Sequence, residues 1–130
     1  MRSASSVAAS ALLAISLLAR PAMAQERPAT VRLLVQSSPL AGFRFHRAAE
    51  LWHELRVGDA LELVREPDNP HDPHAVSVSW RGHKLGYVPR RENAALAWGM
   101  DRGEQLRARI SRLTEHPNPA RRVEFEVFVE

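Results

Sequence analysis

Apolar and polar residues alternate with a period of two in several short windows of this chain, and with helical spacing in two others. Val31, Leu33 and Val35 alternate with Arg32, Leu34 and Gln36, which predicts a first strand ending at a turn over Ser37-Ser38-Pro39. Leu40 to Phe45 reads as a second short strand, interrupted at Gly42. Ala48, Leu51, Trp52 and Leu55 fall on one face of a helix over residues 48–55, and Gly58-Asp59 ends it with a turn. Leu61 and Leu63 then alternate with Glu62 and Val64 in a further strand.

Three prolines between Pro67 and His74 forbid both a helix and a central strand, so this segment is expected to be a stiff loop. Val76, Val78 and Trp80 alternate with serines, and Arg81-Gly82-His83 turns the chain into a strand over residues 84–88. Pro89 is suited to a helix start, and residues 90–100 form the second predicted helix, ending near Gly103. Leu106, Ala108 and Ile110 alternate with Arg107 and Arg109. After His116-Pro117-Asn118-Pro119, Val123, Phe125, Val127 and Val129 alternate with Glu124, Glu126 and Phe128. Arg107 and Arg109 are expected to face Glu124 and Glu126 in a cross-strand charge ladder. The pattern as a whole predicts a mostly β protein: a small six-stranded antiparallel barrel of OB-like or SH3-like character, with two short α-helices.

Composition adds a compartment to this picture. The first 24 residues contain no Asp or Glu and run from Arg2 through the apolar stretch Val7 to Ala19 to Pro21-Ala22-Met23-Ala24, the layout of a cleavable secretory signal peptide. The thirteen residues of this stretch are too few for a spanning helix, which needs about 20. The expected organisation is therefore a signal peptide over 1–24, a lead-in and first strand over 25–38, and one domain over 39–130. The protein should be exported, periplasmic or secreted, with no stable membrane anchor. Loss of Arg2 and Arg20 reduces 18 Lys and Arg to 16, against 15 Asp and Glu, so the exported chain carries a net charge of only +1. Any anion site must then be local rather than a property of the whole surface. The absence of Cys excludes disulfide scaffolds, Cys-based zinc sites and cysteine nucleophiles.

Three segments together carry a resemblance to a known family: Ala41-Gly42-Phe43-Arg44-Phe45, Leu63 through Val76 with its Glu-Pro-x-Asn-Pro-x-Asp-x-x-Ala-Val pattern, and Leu85-Gly86-Tyr87-Val88-Pro89-Arg90. They resemble the HIRAN domain, and the resemblance runs from about Pro39 to Glu130. It implies a compact OB-like barrel and a non-catalytic module that holds the 3′ end of single-stranded DNA. By the same resemblance the end-binding pocket would use Arg44, Phe45, His46, His71, Asp72, Tyr87 and Arg90. Phe45 would stack on the terminal base, Arg44 and Arg90 would pair with phosphate oxygens, and Asp72 would accept from the terminal hydroxyl and repel a phosphate there. Where many members carry aromatics, this chain has His46 and His71, which stack on a smaller face with a pH-dependent charge. No cofactor is implied. The ATPase motor that accompanies this module in fork-remodelling helicases has no counterpart, since Lys84 is the only lysine and no Gly-x-x-x-x-Gly-Lys-Ser/Thr occurs.

Residue chemistry alone leaves other readings open. Phe45 suits a core position as well as a platform, and Asp68, Asn69 and Asp72 suit Asx turns of a Pro-rich loop. An extracytoplasmic binding or scaffold domain for a peptide, a protein or an anionic polymer fits the compartment. A metal-dependent hydrolase would need His71 and His74 as zinc ligands, yet Pro73 between them makes the side chains diverge. No Gly-x-Ser-x-Gly is present to suggest a serine nucleophile.

Export should remove residues 1–24 and leave Gln25 as the first residue. Intact mass of the exported protein checks this; a species keeping Met1 to Ala24 in the membrane fraction would make the segment an anchor.

Overall fold

The computed structural model describes residues 31–130, so the leader and the start of the lead-in read from the sequence lie outside the described residues. Six strands form one antiparallel sheet: β1 (Leu33–Pro39), β2 (Ala60–Glu66), β3 (Ala75–Trp80), β4 (His83–Tyr87), β5 (Arg107–Leu113) and β6 (Val123–Val129). Their order is β1-β6-β5-β2-β3-β4. Two short helices, α1 (Ala48–Leu51) and α2 (Ala94–Asp101), complete the expected set. A 3-10 turn (Trp52–Glu54) extends α1, and another (Arg90–Glu92) precedes α2.

The strand period places alternate side chains inside the rolled sheet, where Val78, Trp80, Leu85, Ile110, Phe125 and Val127 are buried with Leu40, Phe43 and Leu96 from the connecting segments. Ala48, Leu51 and Leu55 bring the predicted face of the first helix onto this core. Register shifts near Val35, Leu85 and Ser111 insert bulges, which increase the local twist and let six strands roll up. The roll closes at one point. Leu40 N–H still bonds Val123 of β6, while Ala41 exchanges two backbone hydrogen bonds of 2.9 Å with Tyr87 of β4. The two ends of the strand order meet there.

Three local expectations are corrected. Leu40 to Phe45 is not a strand: Gly42 adopts φ 76°, and Phe43–Phe45 wind into a 3-10 turn. Ser37-Ser38-Pro39 is not a turn but the end of β1, because Ser38 is buried and its hydroxyl donates to Glu92 Oε2 at 2.7 Å. The alternation of Val31, Leu33 and Val35 does not divide inside from outside, since β1 is an edge of the sheet order and Leu33, Leu34 and Val35 are all exposed. In the charge ladder Arg109 faces Glu126 as expected at 3.2 Å, whereas the bulge at Ser111 pairs Arg112 with Glu124 and leaves Arg107 to Glu130.

Trp80 is 3% exposed and its indole N–H donates to Asp59 Oδ2 at 3.0 Å. Trp80→Ala should destabilise the domain by about 3–5 kcal/mol, out of a typical total of about 5–15 kcal/mol. A urea denaturation midpoint close to that of the unsubstituted protein would contradict this.

Candidate functional site

Beside the closure point lies an open cavity of about 610 Å³, lined by Ala41, Phe45, His46, Asn69, His71, Asp72, Tyr87 and Arg90 among others. Six of the seven residues singled out from the sequence thus share one surface. The seventh, Arg44, lies at its edge, with its guanidinium carbon 5.4 Å from the centroid of the Phe45 ring.

The left-handed conformation of Gly42 explains how two phenylalanines two residues apart take opposite roles. It starts the tight turn that sends Phe43 into the core, edge-on to Trp52 at 6.0 Å. Phe45 points outward and is 77% exposed, a large apolar face left in solvent at the mouth of the cavity. Of the two roles open to Phe45 in the sequence, the core role belongs to Phe43.

The opposite wall is the Pro-rich loop, held by its own Asx side chains. Asn69 Oδ1 accepts from the backbone N–H groups of His71 (2.9 Å) and Asp72 (3.2 Å), and Asp72 Oδ1 accepts from that of His74 (2.9 Å). The other carboxylate oxygen of Asp72 accepts from the amide of Asn93 at 2.7 Å. Asn93 is 2% exposed and sits at the start of α2, so this bond ties the loop to the helix. Partial burial pushes the Asp72 carboxyl up, but the His74 N–H, the Asn93 amide and the Arg90 charge outweigh it and hold the group ionised below its ordinary range. Asp68 is exposed.

Two of the lining residues, Asn69 and Tyr87, belong to a cluster that sequence reading missed. Glu66 Oε2 accepts from Lys84 Nζ at 2.8 Å, and Glu66 Oε1 accepts from the Tyr87 hydroxyl at 2.9 Å and from the Asn69 amide at 3.2 Å. Burial raises the Glu66 pKa, yet hydrogen bonds from Lys84, Tyr87 and Asn69 and the lysine charge together hold it at about 2. Tyr87 in turn meets the edge of His46, 5.4 Å between centroids. Burial and the Lys84 charge lower the His46 pKa against the pull of Glu66. The uniqueness of Lys84 was the available signal, but its partner lies 18 residues away on another strand.

No three His, Asp or Glu side chains converge as metal ligands among the described residues. His71 is exposed on the cavity rim, while His74 turns away to meet Trp98 edge-on at 5.8 Å.

The Glu66 cluster sets an acid limit on stability. Its folded-state pKa is depressed from 4.5, so its contribution is complete above about pH 4.5 and disappears as pH falls toward 2. With Lys84 40% exposed, solvent screening reduces that contribution to about 1–2 kcal/mol. Glu66→Gln should be less stable than the parent at pH 7, and the gap should close between pH 4.5 and 2 in urea titrations. A gap independent of pH would show that the carboxylate charge is not involved.

Comparison with known proteins agrees with this architecture. Residues 33–130 match the family model of the HIRAN domain. A crystal structure of a protein from Lactobacillus plantarum superposes with a TM-score of 0.66 at 29% identity, covering 75% of this chain and 94% of that one. The HIRAN domain of human HLTF shares the fold, with a TM-score of 0.55 at 20% identity, covering 75% of this chain and 78% of that one. A Fanconi-associated nuclease 1 homolog from Oryza sativa subsp. japonica is 36% identical over 73 residues, which are 53% of this chain but 7% of the nuclease. With a family model spanning all six strands and every residue of the cavity, the chain belongs to the HIRAN domain family.

Proposed function

We propose that this protein is a non-catalytic nucleic-acid-binding module whose cavity receives the 3′-terminal nucleotide of a single strand. The observation that carries the reading is the exposed ring of Phe45 at the mouth of a cavity that also holds the ionised Asp72 and the exposed guanidinium of Arg90. A terminal nucleotide presents a base face, a flanking phosphate and a hydroxyl, and these three groups each have a counterpart of matching chemistry.

Stacking on Phe45 would contribute about 1–3 kcal/mol without regard to base identity. Arg44 and Arg90 would take the phosphate oxygens as bidentate donors. Asp72 uses two of about four acceptor positions within the protein, which orients the carboxylate and leaves capacity for a ligand hydroxyl. His46 and His71 would flank the base as smaller stacking surfaces, and Tyr87 would support His46. A duplex end is a poorer ligand, because its terminal base must first leave its own stack. On the export reading of residues 1–24, the ligand would be nucleic acid met outside the cytoplasm.

A short oligonucleotide ending in a 3′-hydroxyl should bind more tightly than the same strand ending in a 3′-phosphate, as measured by fluorescence anisotropy. Phe45→Ala should weaken both ligands alike, by about 5- to 150-fold for the loss of one stacked base. Asp72→Asn should narrow the difference between the two ends. Equal binding of both ends by the unsubstituted protein, or none at high protein concentration, would rule the reading out.

A further inference from the structure

The cavity does not end at Arg90. A shallow surface shares Ala41 and Arg90 with it and continues past Pro89 to share Pro39, Arg91 and Ala120 with a second open groove of about 530 Å³. That groove is also lined by Arg112 and Arg121. We propose that a strand held by its 3′ end in the cavity continues along this path, with its upstream phosphates held by Arg91 and Arg121. The inference rests on the end-binding reading and extends it from one nucleotide to a track.

The distribution of arginine partners supports a phosphate track at this place. Among the described residues, nine arginines have a carboxylate within 4.0 Å or donate to a carbonyl or carboxylate oxygen. Five have neither: Arg44, Arg81, Arg90, Arg91 and Arg121. Arg81 covers the Trp80 ring at 4.5 Å. The other four border the cavity and the groove, although the chain as a whole is close to neutral. Glu124 also lines the groove, but Arg112 stands 3.8 Å from it and offsets its charge.

Local structure fixes both new arginines in place. Arg90 and Arg91 are successive residues of a 3-10 turn, where side chains diverge by about 120°, so one faces the cavity and the next faces the groove. Arg121 ends a second 3-10 turn (Pro119–Arg121) whose start is capped by Asn118 Oδ1, accepting from Ala120 N–H at 3.0 Å. A row of planar donors without partners suits a flexible polyanion whose charges recur at regular intervals.

The test uses 5′-fluorescein oligothymidylates ending in a 3′-hydroxyl, three and ten nucleotides long. Each phosphate contact on a single strand contributes a slope of about −0.7 in log affinity against log salt. Two contacts for the trimer (Arg44, Arg90) give about −1.4, and four for the decamer give about −2.8. Raising salt from about 50 to about 200 mM should therefore weaken the trimer roughly 7-fold and the decamer roughly 50-fold. In the double variant Arg91→Gln, Arg121→Gln, the decamer slope should fall to that of the trimer. Both side chains are exposed, so the variant should keep its fold, as circular dichroism would verify. Equal slopes for the two lengths, or a decamer slope untouched by the double substitution, overturn the track while a preference for the 3′-hydroxyl keeps the end-binding reading. Failure of either length to bind overturns both.

Discussion

The close approach of two backbones at Gly86 and Ala41 is the constraint on which the rest of this structure depends. A β-carbon at Gly86 would collide with the Ala41 carbonyl oxygen, so only glycine lets the end of β1 reach the edge of β4. Through that contact Ala41 and Tyr87 exchange their two hydrogen bonds and the rolled sheet closes. The site is a by-product of the same contact. Ala41 leads through Gly42 into the turn that exposes Phe45, while Tyr87 leads through Pro89 to Arg90, and the Ala41–Tyr87 bridge brings the two walls together.

The third wall is rigid for a different reason. Proline limits the backbone freedom of the 67–74 loop, and Asn69 and Asp72 satisfy three of its N–H groups with their side chains. The polar groups beneath it are bonded to one another, and no buried side-chain nitrogen or oxygen among the described residues lacks a partner. The carboxylates of the site, Glu66 and Asp72, are engaged by protein donors, whereas among the described residues the guanidinium groups of Arg44, Arg90, Arg91 and Arg121 donate to no protein acceptor. That asymmetry gives a nearly neutral protein a locally cationic surface, and it fits an anionic ligand better than a cationic one.

Much of this was present in the one-dimensional pattern. Alternation placed β2 to β6 and the buried stripe of Val76, Val78 and Trp80, because a residue's face on a strand follows from its parity alone. The Pro-Asp-Asn-Pro-His-Asp-Pro-His run identified the rigid loop and its Asx turns, since those interactions span two or three residues. Turns and bulges were harder to read. Ser37 to Pro39 has turn composition yet extends a strand, because its stabilising partner, Glu92, is 54 residues distant from Ser38.

Local chemistry thus determined the strand parity and the stiffness of the 67–74 loop. Tertiary structure alone decided which phenylalanine is core and which is exposed, that Asn93 reaches Asp72, that Lys84 and Tyr87 share Glu66, and that Arg91 and Arg121 border one groove. The physical reason is one of range. Backbone preferences and parity act over a few residues and are written in consecutive letters, whereas each of these pairings depends on where a closed barrel brings segments 18 to 30 residues apart.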